Sequence, residues 1–131
     1  MARTRIATLP ASQLPDASAL NSALKAAKLS LVVDPEWSNA SHSGYLPCTL
    51  AGEDAGFNLT RTASEDEKLV LSLKWGGDKR EQAAAIGVLA TLATAFGAVV
   101  IDPEASTSFS AEALGKEARG LFQALADEGV G

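Results

Sequence analysis

Two copies of the tripeptide Asp-Pro-Glu carry the residues best suited to chemistry in this chain. They occupy residues 34–36 and 102–104, and each follows a short aliphatic stretch. Paired carboxylates can act as general acid and base, or bind a hard cation such as Ca²⁺ or Mg²⁺. Four of them would converge if the two copies lay at neighbouring strand ends. The structural alternative is that each Asp forms a turn and each Pro ends a strand. We favour this alternative, because no nearby residue supplies a nucleophile.

His42 and Cys48 are a second candidate pair, and each is the only residue of its type. A Cys-His site also needs an orienting third group and an oxyanion site, which the sequence does not indicate. Cys48 alternates with Leu46 and Leu50, a pattern that predicts a small buried side chain. A single cysteine cannot form an intramolecular disulfide, which favours a reducing, cytoplasmic compartment. We therefore predict a protein that is not an enzyme and that uses no cofactor or metal.

A glycine pair at residues 76–77 leads from a predicted strand into a predicted helix. Backbone N–H groups at such a helix start can hold an anion. The segment lacks the glycine spacing and the Lys-Ser/Thr ending of a phosphate-binding loop. Asp78 with Glu81 matches a capping box instead, so we predict a helix cap at this position.

The net charge of −5 is concentrated in residues 31–67, which contain seven acids and one base, Arg61. Nucleic acids and anionic membranes require clustered Lys and Arg, so a basic protein surface is the better partner. Trp37 and Tyr45 lie in the same segment, and both residue types anchor protein interfaces. The alternative for Trp37 is that it folds back over the core. The predicted partner-binding residues are Asp34, Glu36, Trp37, His42, Tyr45, Glu53 and Asp54.

The length of 131 residues and the 47% hydrophobic content predict one domain, residues 1–131, with an irregular or mobile segment at 1–14. Apolar periodicity predicts helices at 17–28, from Asp78 to about Phe96, and from Ser110 to Gly129. Alternation predicts a meander of three strands within residues 46–75. The uncharged stretch 83–101 is interpreted as a buried helix followed by a buried strand, rather than a membrane span. The expected fold is α+β, with one mostly antiparallel sheet of about five strands covered by helices in the order α-β-β-β-β-α-β-α.

The helix–strand unit before each Asp-Pro-Glu is similar, and both duplication and convergence on a good strand stop explain this. Several turn and strand-exit motifs also resemble small cytoplasmic immunity proteins, which are encoded beside secreted antibacterial toxins such as type VI secretion effectors. These motifs are Ser43 to Pro47, Gly52 to Phe57, Trp75 to Asp78 with Glu81, and Gly97 to Pro103. The resemblance implies a non-enzymatic protein that binds and blocks a cognate toxin. Two alternatives stay open: an adaptor or chaperone-like domain, which could be a homodimer, and a small carboxylate-dependent enzyme or Ca/Mg binder.

Overall fold

The computed structural model describes residues 3–39, 42–64 and 66–128, which form seven strands and three α-helices. The strands are β1 (Arg3–Pro10), β2 (Leu31–Val33), β3 (Gly44–Leu50), β4 (Glu53–Ala63), β5 (Lys68–Trp75), β6 (Val99–Asp102) and β7 (Thr107–Phe109). The helices are α1 (Ala17–Ala26), α2 (Lys79–Phe96) and α3 (Ala111–Asp127), and short 3₁₀ turns occupy Ala11–Gln13 and Pro35–Ser38. All strand pairs are antiparallel, and the sheet order is β2-β3-β4-β5-β1-β6-β7.

The α+β class and the β3-β4-β5 meander are confirmed, but the sheet has seven strands instead of about five. The expectation of an irregular segment at 1–14 was wrong for residues 3–10, because β1 lies inside the sheet between β5 and β6. Its core-facing side chains are Arg5, Ala7 and Leu9. Because Arg5 is charged and Ala7 is small, this segment lacks the regular apolar alternation by which a strand is recognised in a sequence. β7, with only three residues, was also missed.

Each of the three helices begins at a side-chain cap, and the cap at Asp78 agrees with the predicted one. Side-chain oxygens of Asp16, Asp78 and Ser110 accept hydrogen bonds from first-turn N–H groups at 2.8, 2.7 and 3.0 Å. Gly97 ends α2 in the left-handed conformation, with φ +73°, which a residue without Cβ adopts at little cost. The predicted end of the last helix at Gly129 falls outside the described residues. Local side-chain chemistry therefore sets these boundaries.

α2 is the central element of the core, as its apolar circumference predicts. Residues 83–92 are all buried, which requires contacts on every side of the helix. Gly87 allows close packing, since a Cβ there would lie 3.2 Å from the Phe122 ring and 3.4 Å from Leu31. In the described part of the chain, no helix combines the length and apolarity needed to cross a membrane. The uncharged stretch is thus a core helix and the strand that follows it.

The helices leave one face of the sheet uncovered. On that face, alternate strand residues are exposed or half-buried, whereas their neighbours point into the core. β6 illustrates the difference, because Val100 is fully buried while Val99 and Ile101 are 61% and 38% exposed. The expectation of a buried strand after α2 was therefore only half correct.

A side chain from α1 covers one residue of the outer edge of β2. Asn21 accepts a hydrogen bond from the N–H of Val33 at 2.8 Å and donates one to its carbonyl at 3.2 Å. An edge strand exposes backbone groups that can pair with another chain. Asn21 satisfies both groups of Val33 and blocks pairing at this point.

Arg5 attaches α3 to the sheet. Its guanidinium donates to both carboxylate oxygens of Glu117, at 2.8 and 3.1 Å, and lies 3.9 Å from the centroid of the Phe109 ring. Arg5 is only 9% exposed, so the contact with Glu117 offsets the cost of removing its guanidinium from water. The pair connects residues 112 positions apart in the chain.

We expect Glu117→Ala to lower the free energy of unfolding by about 2 kcal/mol, because it leaves the Arg5 guanidinium buried without its counter-charge. The matched control is Glu128→Ala, which breaks an exposed pair with Lys79 and should cost less than about 0.5 kcal/mol. Urea denaturation followed by circular dichroism measures both variants. Equal effects would contradict the role assigned to the Arg5–Glu117 pair.

Cys48 is the buried side chain that the alternation predicted, with 5% exposure. Burial, and secondarily the charge of Asp34, raises the pKa of its thiol to about 12. We expect no reaction with Ellman's reagent at pH 8 in the native protein and complete reaction in urea, because the reactive thiolate is scarce and enclosed. Rapid labelling of the native protein would show that this part of the core opens.

Candidate functional site

The two Asp-Pro-Glu segments lie far apart. They follow β2 and β6, which are separated by five steps in the sheet order, or about 24 Å at the usual strand spacing. Each forms the predicted turn: Asp34 accepts a hydrogen bond from the N–H of Glu36 at 2.9 Å, and Asp102 does the same for Glu104. Their carboxylates do not converge on one site. Among the residues that the structure describes, no group of three or more His, Cys, Asp or Glu side chains could hold a metal ion.

Trp37 is fully buried, so its predicted role as an exposed anchor was wrong and the alternative, folding back over the core, holds. Its indole N–H donates to the Pro15 carbonyl at 3.0 Å. The 3₁₀ turn that contains it returns toward the start of α1, where the Ser38 hydroxyl accepts from the N–H of Ala17 at 2.8 Å. The aromatic ring therefore closes the junction between this turn and α1.

Arg61 has a structural role that sequence reasoning missed. Its guanidinium lies 5.2 Å from the Trp37 ring centroid and donates to the Trp37 carbonyl. Partial burial lowers the pKa of Arg61 below its usual value. The sequence did offer one signal for this role, because Arg61 is the only base among the seven acids of residues 31–67. In the structure it contacts the ring and the carbonyl of Trp37.

His42 is held inside its loop instead of projecting into solvent. Nδ1 lies 3.4 Å from Glu36 Oε1 and Nε2 lies 3.2 Å from the Gly44 carbonyl, and the side chain is only 10% exposed. The same Glu36 oxygen accepts a hydrogen bond from Asn39 at 2.6 Å. Glu36 keeps 45% of its side-chain surface exposed. Glu36 is thus accessible to a partner, whereas His42 is not.

Tyr45 is the aromatic residue that the structure presents to solvent. It is 49% exposed on the uncovered face, and its hydroxyl donates to the Ala55 carbonyl at 3.2 Å. The ring lies over Gly56, where a Cβ would be only 2.5 Å from the Tyr45 hydroxyl. The glycine therefore provides the flat backbone on which the ring rests.

Exposed residues of β2, β3 and β4 surround Tyr45 on the same face. Val32, 54% exposed, pairs across the sheet with Thr49, which pairs with Asp54. One residue beyond β2, the N–H of Asp34 donates to the Pro47 carbonyl at 3.1 Å. We name this surface the acidic corner, which consists of Val32, Asp34, Tyr45, Pro47, Thr49 and Asp54.

The acidic corner carries a negative potential around an apolar centre. Partial burial, followed by the charge of Glu81 and by smaller contributions that include Asp54, raises the pKa of Tyr45 above its usual value. Glu53, also a predicted contact residue, pairs with Arg80 at 2.6 Å and so has a cation within the chain. The exposed ring and the carboxylates can accept Lys or Arg side chains by ion pairing and by cation–π contact.

The seven predicted contact residues thus divide into four groups. Asp34, Tyr45 and Asp54 lie together in the acidic corner, and Glu36 is exposed in the turn after β2. Glu53 is exposed but paired. Trp37 and His42 are enclosed. Val32 was missed, because an aliphatic residue in a strand is ordinarily interpreted as core.

Comparison of the chain with protein-family models, with curated protein sequences and with solved structures found no significant match.

Proposed function

We propose that this chain is a non-enzymatic protein-binding domain of the immunity type, which neutralises a cognate toxin by covering a basic surface with the acidic corner. The observation that supports this proposal is an exposed aromatic residue, Tyr45, and an exposed aliphatic one, Val32, set among the carboxylates of Asp34 and Asp54. This combination is typical of protein interfaces, which join a desolvated anchor to a charged surround.

The carboxylates of the acidic corner and its two uncharged anchors, Tyr45 and Val32, have different physical roles. The carboxylates attract a basic partner over a distance and raise the rate of association, an effect that salt weakens. Tyr45 and Val32 lose their contact with water only in the complex, so they slow dissociation. The enclosed His42 and the buried thiol of Cys48 give no support to a nucleophilic mechanism.

An adaptor or chaperone-like domain would use the same surface with a partner that is not toxic. Gene neighbourhood distinguishes the two functions, because an immunity gene lies beside the gene of its toxin. The test therefore starts with the product of the adjacent gene, expressed in a bacterial host with and without this chain. Rescue of growth supports the immunity function, and a harmless binding partner supports the adaptor.

We expect Tyr45→Ala to weaken binding to this partner at least tenfold, because it removes the central aromatic anchor. Tyr45→Phe is the matched control, since it keeps the ring and loses only the hydrogen bond to the Ala55 carbonyl. Isothermal titration calorimetry measures both affinities. Trp37→Ala is unsuitable as a probe, because it would open a large cavity in the core.

Wild-type affinity in Tyr45→Ala would overturn the assignment of the acidic corner. A wild-type chain that neither binds the product of the adjacent gene nor rescues growth would overturn the immunity function itself.

The two Asp-Pro-Glu segments provide a matched test of charge. We expect Asp34→Lys with Glu36→Lys to reduce the association rate constant about tenfold at low salt, and we expect Asp102→Lys with Glu104→Lys to leave it nearly unchanged. Both double variants lose the turn hydrogen bond to the Asp side chain, and the first also loses the contacts of Glu36 with Asn39 and His42. Circular dichroism therefore checks first that both variants fold. Stopped-flow or biolayer measurements at 50 and 500 mM NaCl should show the difference shrinking at high salt. An equal slowing in both variants would argue against a local electrostatic role.

A further inference from the structure

A long groove runs between α1 and the β2 edge of the sheet. It encloses about 720 Å³ and continues into a smaller groove of about 310 Å³ against α3. The two grooves share Lys28, Leu29, Ser30 and Ala51, which lie in the turns after α1 and β3. We treat them as one surface and name it the cationic groove, after its three bases Lys25, Lys28 and Arg119.

The cationic groove differs in charge from the chain as a whole. The chain contains 16 acids and 11 bases, yet every charged side chain among the described residues that line the groove is a base. Lys25, Lys28 and Arg119 are exposed, and none of them takes part in the ion pairs formed by the described residues. The groove thus presents positive charge that is open to an anion from outside.

The end of α1 accounts for only part of this charge. Lys25 lies in the last turn of the helix and Lys28 directly follows it, where a cation stabilises the carbonyl end of the helix dipole. This effect explains two lysines without any ligand. It does not explain Arg119, which belongs to α3 and lines the same groove. The tertiary fold therefore adds a cation that the helix end does not need.

The groove also offers backbone groups to a peptide. Alternate residues of a strand direct their N–H and C=O groups to the same side, so those of Leu31 face the same way as those of Val33. Asn21 binds both groups of Val33, whereas Leu31 lines the groove two residues earlier. A small anion such as phosphate would use only the bases, but a peptide can use the bases and these backbone groups together.

We propose that the cationic groove binds an acidic peptide segment of a protein partner in an extended conformation. The N–H of Lys28 donates to the Lys25 carbonyl at 2.9 Å, a turn that keeps the two Cα atoms within about 7 Å. Alternate side chains of an extended chain project to the same side at a spacing of about 7 Å. Two carboxylates at positions i and i+2 of the peptide therefore match the two lysines. Such charge-assisted hydrogen bonds are stronger than neutral ones.

A nucleic acid is the other polyanion that bases attract, and the surroundings of the groove disfavour it. Val32 and Thr49 line the groove and also belong to the acidic corner. Asp34 follows Val32 by two residues, and Asp54 pairs with Thr49 across the sheet. These carboxylates repel a phosphate backbone that extends past the groove, and three cations release few counterions. A short acidic segment avoids the repulsion. Neither surface needs the other, so this inference is independent of the proposed function.

Fluorescence anisotropy of the full chain tests the proposal with a fluorescein-labelled peptide of eight residues in which Glu alternates with Ala. The matched probe carries Gln in place of Glu. We expect the Glu peptide to bind about tenfold more tightly at 50 mM NaCl, and we expect most of this difference to disappear at 500 mM NaCl. Equal binding of the two peptides at low salt overturns the proposal.

Charge-neutralising variants locate the site. Lys25→Gln with Lys28→Gln should weaken binding of the Glu peptide about fivefold, since it removes two ion pairs. Lys68→Gln with Lys74→Gln is the matched control, because it removes the same charge from exposed lysines of β5 and should leave the affinity unchanged. Circular dichroism shows whether the variants fold; if the first does not, Arg119→Gln on α3 replaces it, and weaker binding is again expected. Equal weakening by the control overturns the proposal.

An eight-nucleotide single-stranded DNA with the same label distinguishes the two kinds of polyanion. DNA that binds more weakly than the Glu peptide supports the choice of a peptide, and DNA that binds more tightly overturns it. Tyr45→Ala should leave binding of the Glu peptide unchanged. Failure of the cationic groove is therefore distinguishable from failure of the acidic corner.

Discussion

The burial of α2 is the constraint on which the rest of the structure depends. Ten consecutive residues, 83–92, are buried, so the helix needs apolar neighbours around its whole circumference. The sheet supplies one side, and α1 and α3 supply the rest, with Gly87 allowing Phe122 to approach closely. All three helices are therefore used on one side of the sheet. The uncovered face, on which the acidic corner lies, is the direct consequence.

The division of the sheet into a covered and an uncovered face also decides which aromatic residues are buried. Trp37 and Trp75 are both buried, at 0% and 3% exposure, and Phe57 lies in the core with them. Tyr45 differs because β3 turns it toward the uncovered face, where Gly56 leaves room for its ring. The register of β3 therefore decides that Tyr45 is exposed. Tyr45 is available for binding, whereas the buried aromatic residues contribute to stability.

Features set by neighbouring residues could be predicted from the sequence, and features set by distant ones could not. The caps at Asp78 and Ser110 and the turns at both Asp-Pro-Glu segments depend on groups a few positions away. β1 was missed because Arg5 is stabilised by Glu117, which lies 112 residues later. Trp37 was misplaced for a similar reason, since Arg61 and Pro15 enclose it through tertiary contacts. The acidic segment was identified, but which of its side chains face outward depends on pairing across strands.

Asn21 makes the two edges of the sheet unequal. Its two hydrogen bonds to Val33 close the β2 edge at that residue, while β7 forms the opposite edge. Growth of a fibre by strand addition needs two open edges, one to receive a strand and one to offer the next. A strand added beside β2 would have to pair without the two backbone groups of Val33, on an edge strand of only three residues. A single amide side chain thus removes much of the hydrogen bonding that this edge could offer, and it disfavours growth of the sheet in that direction.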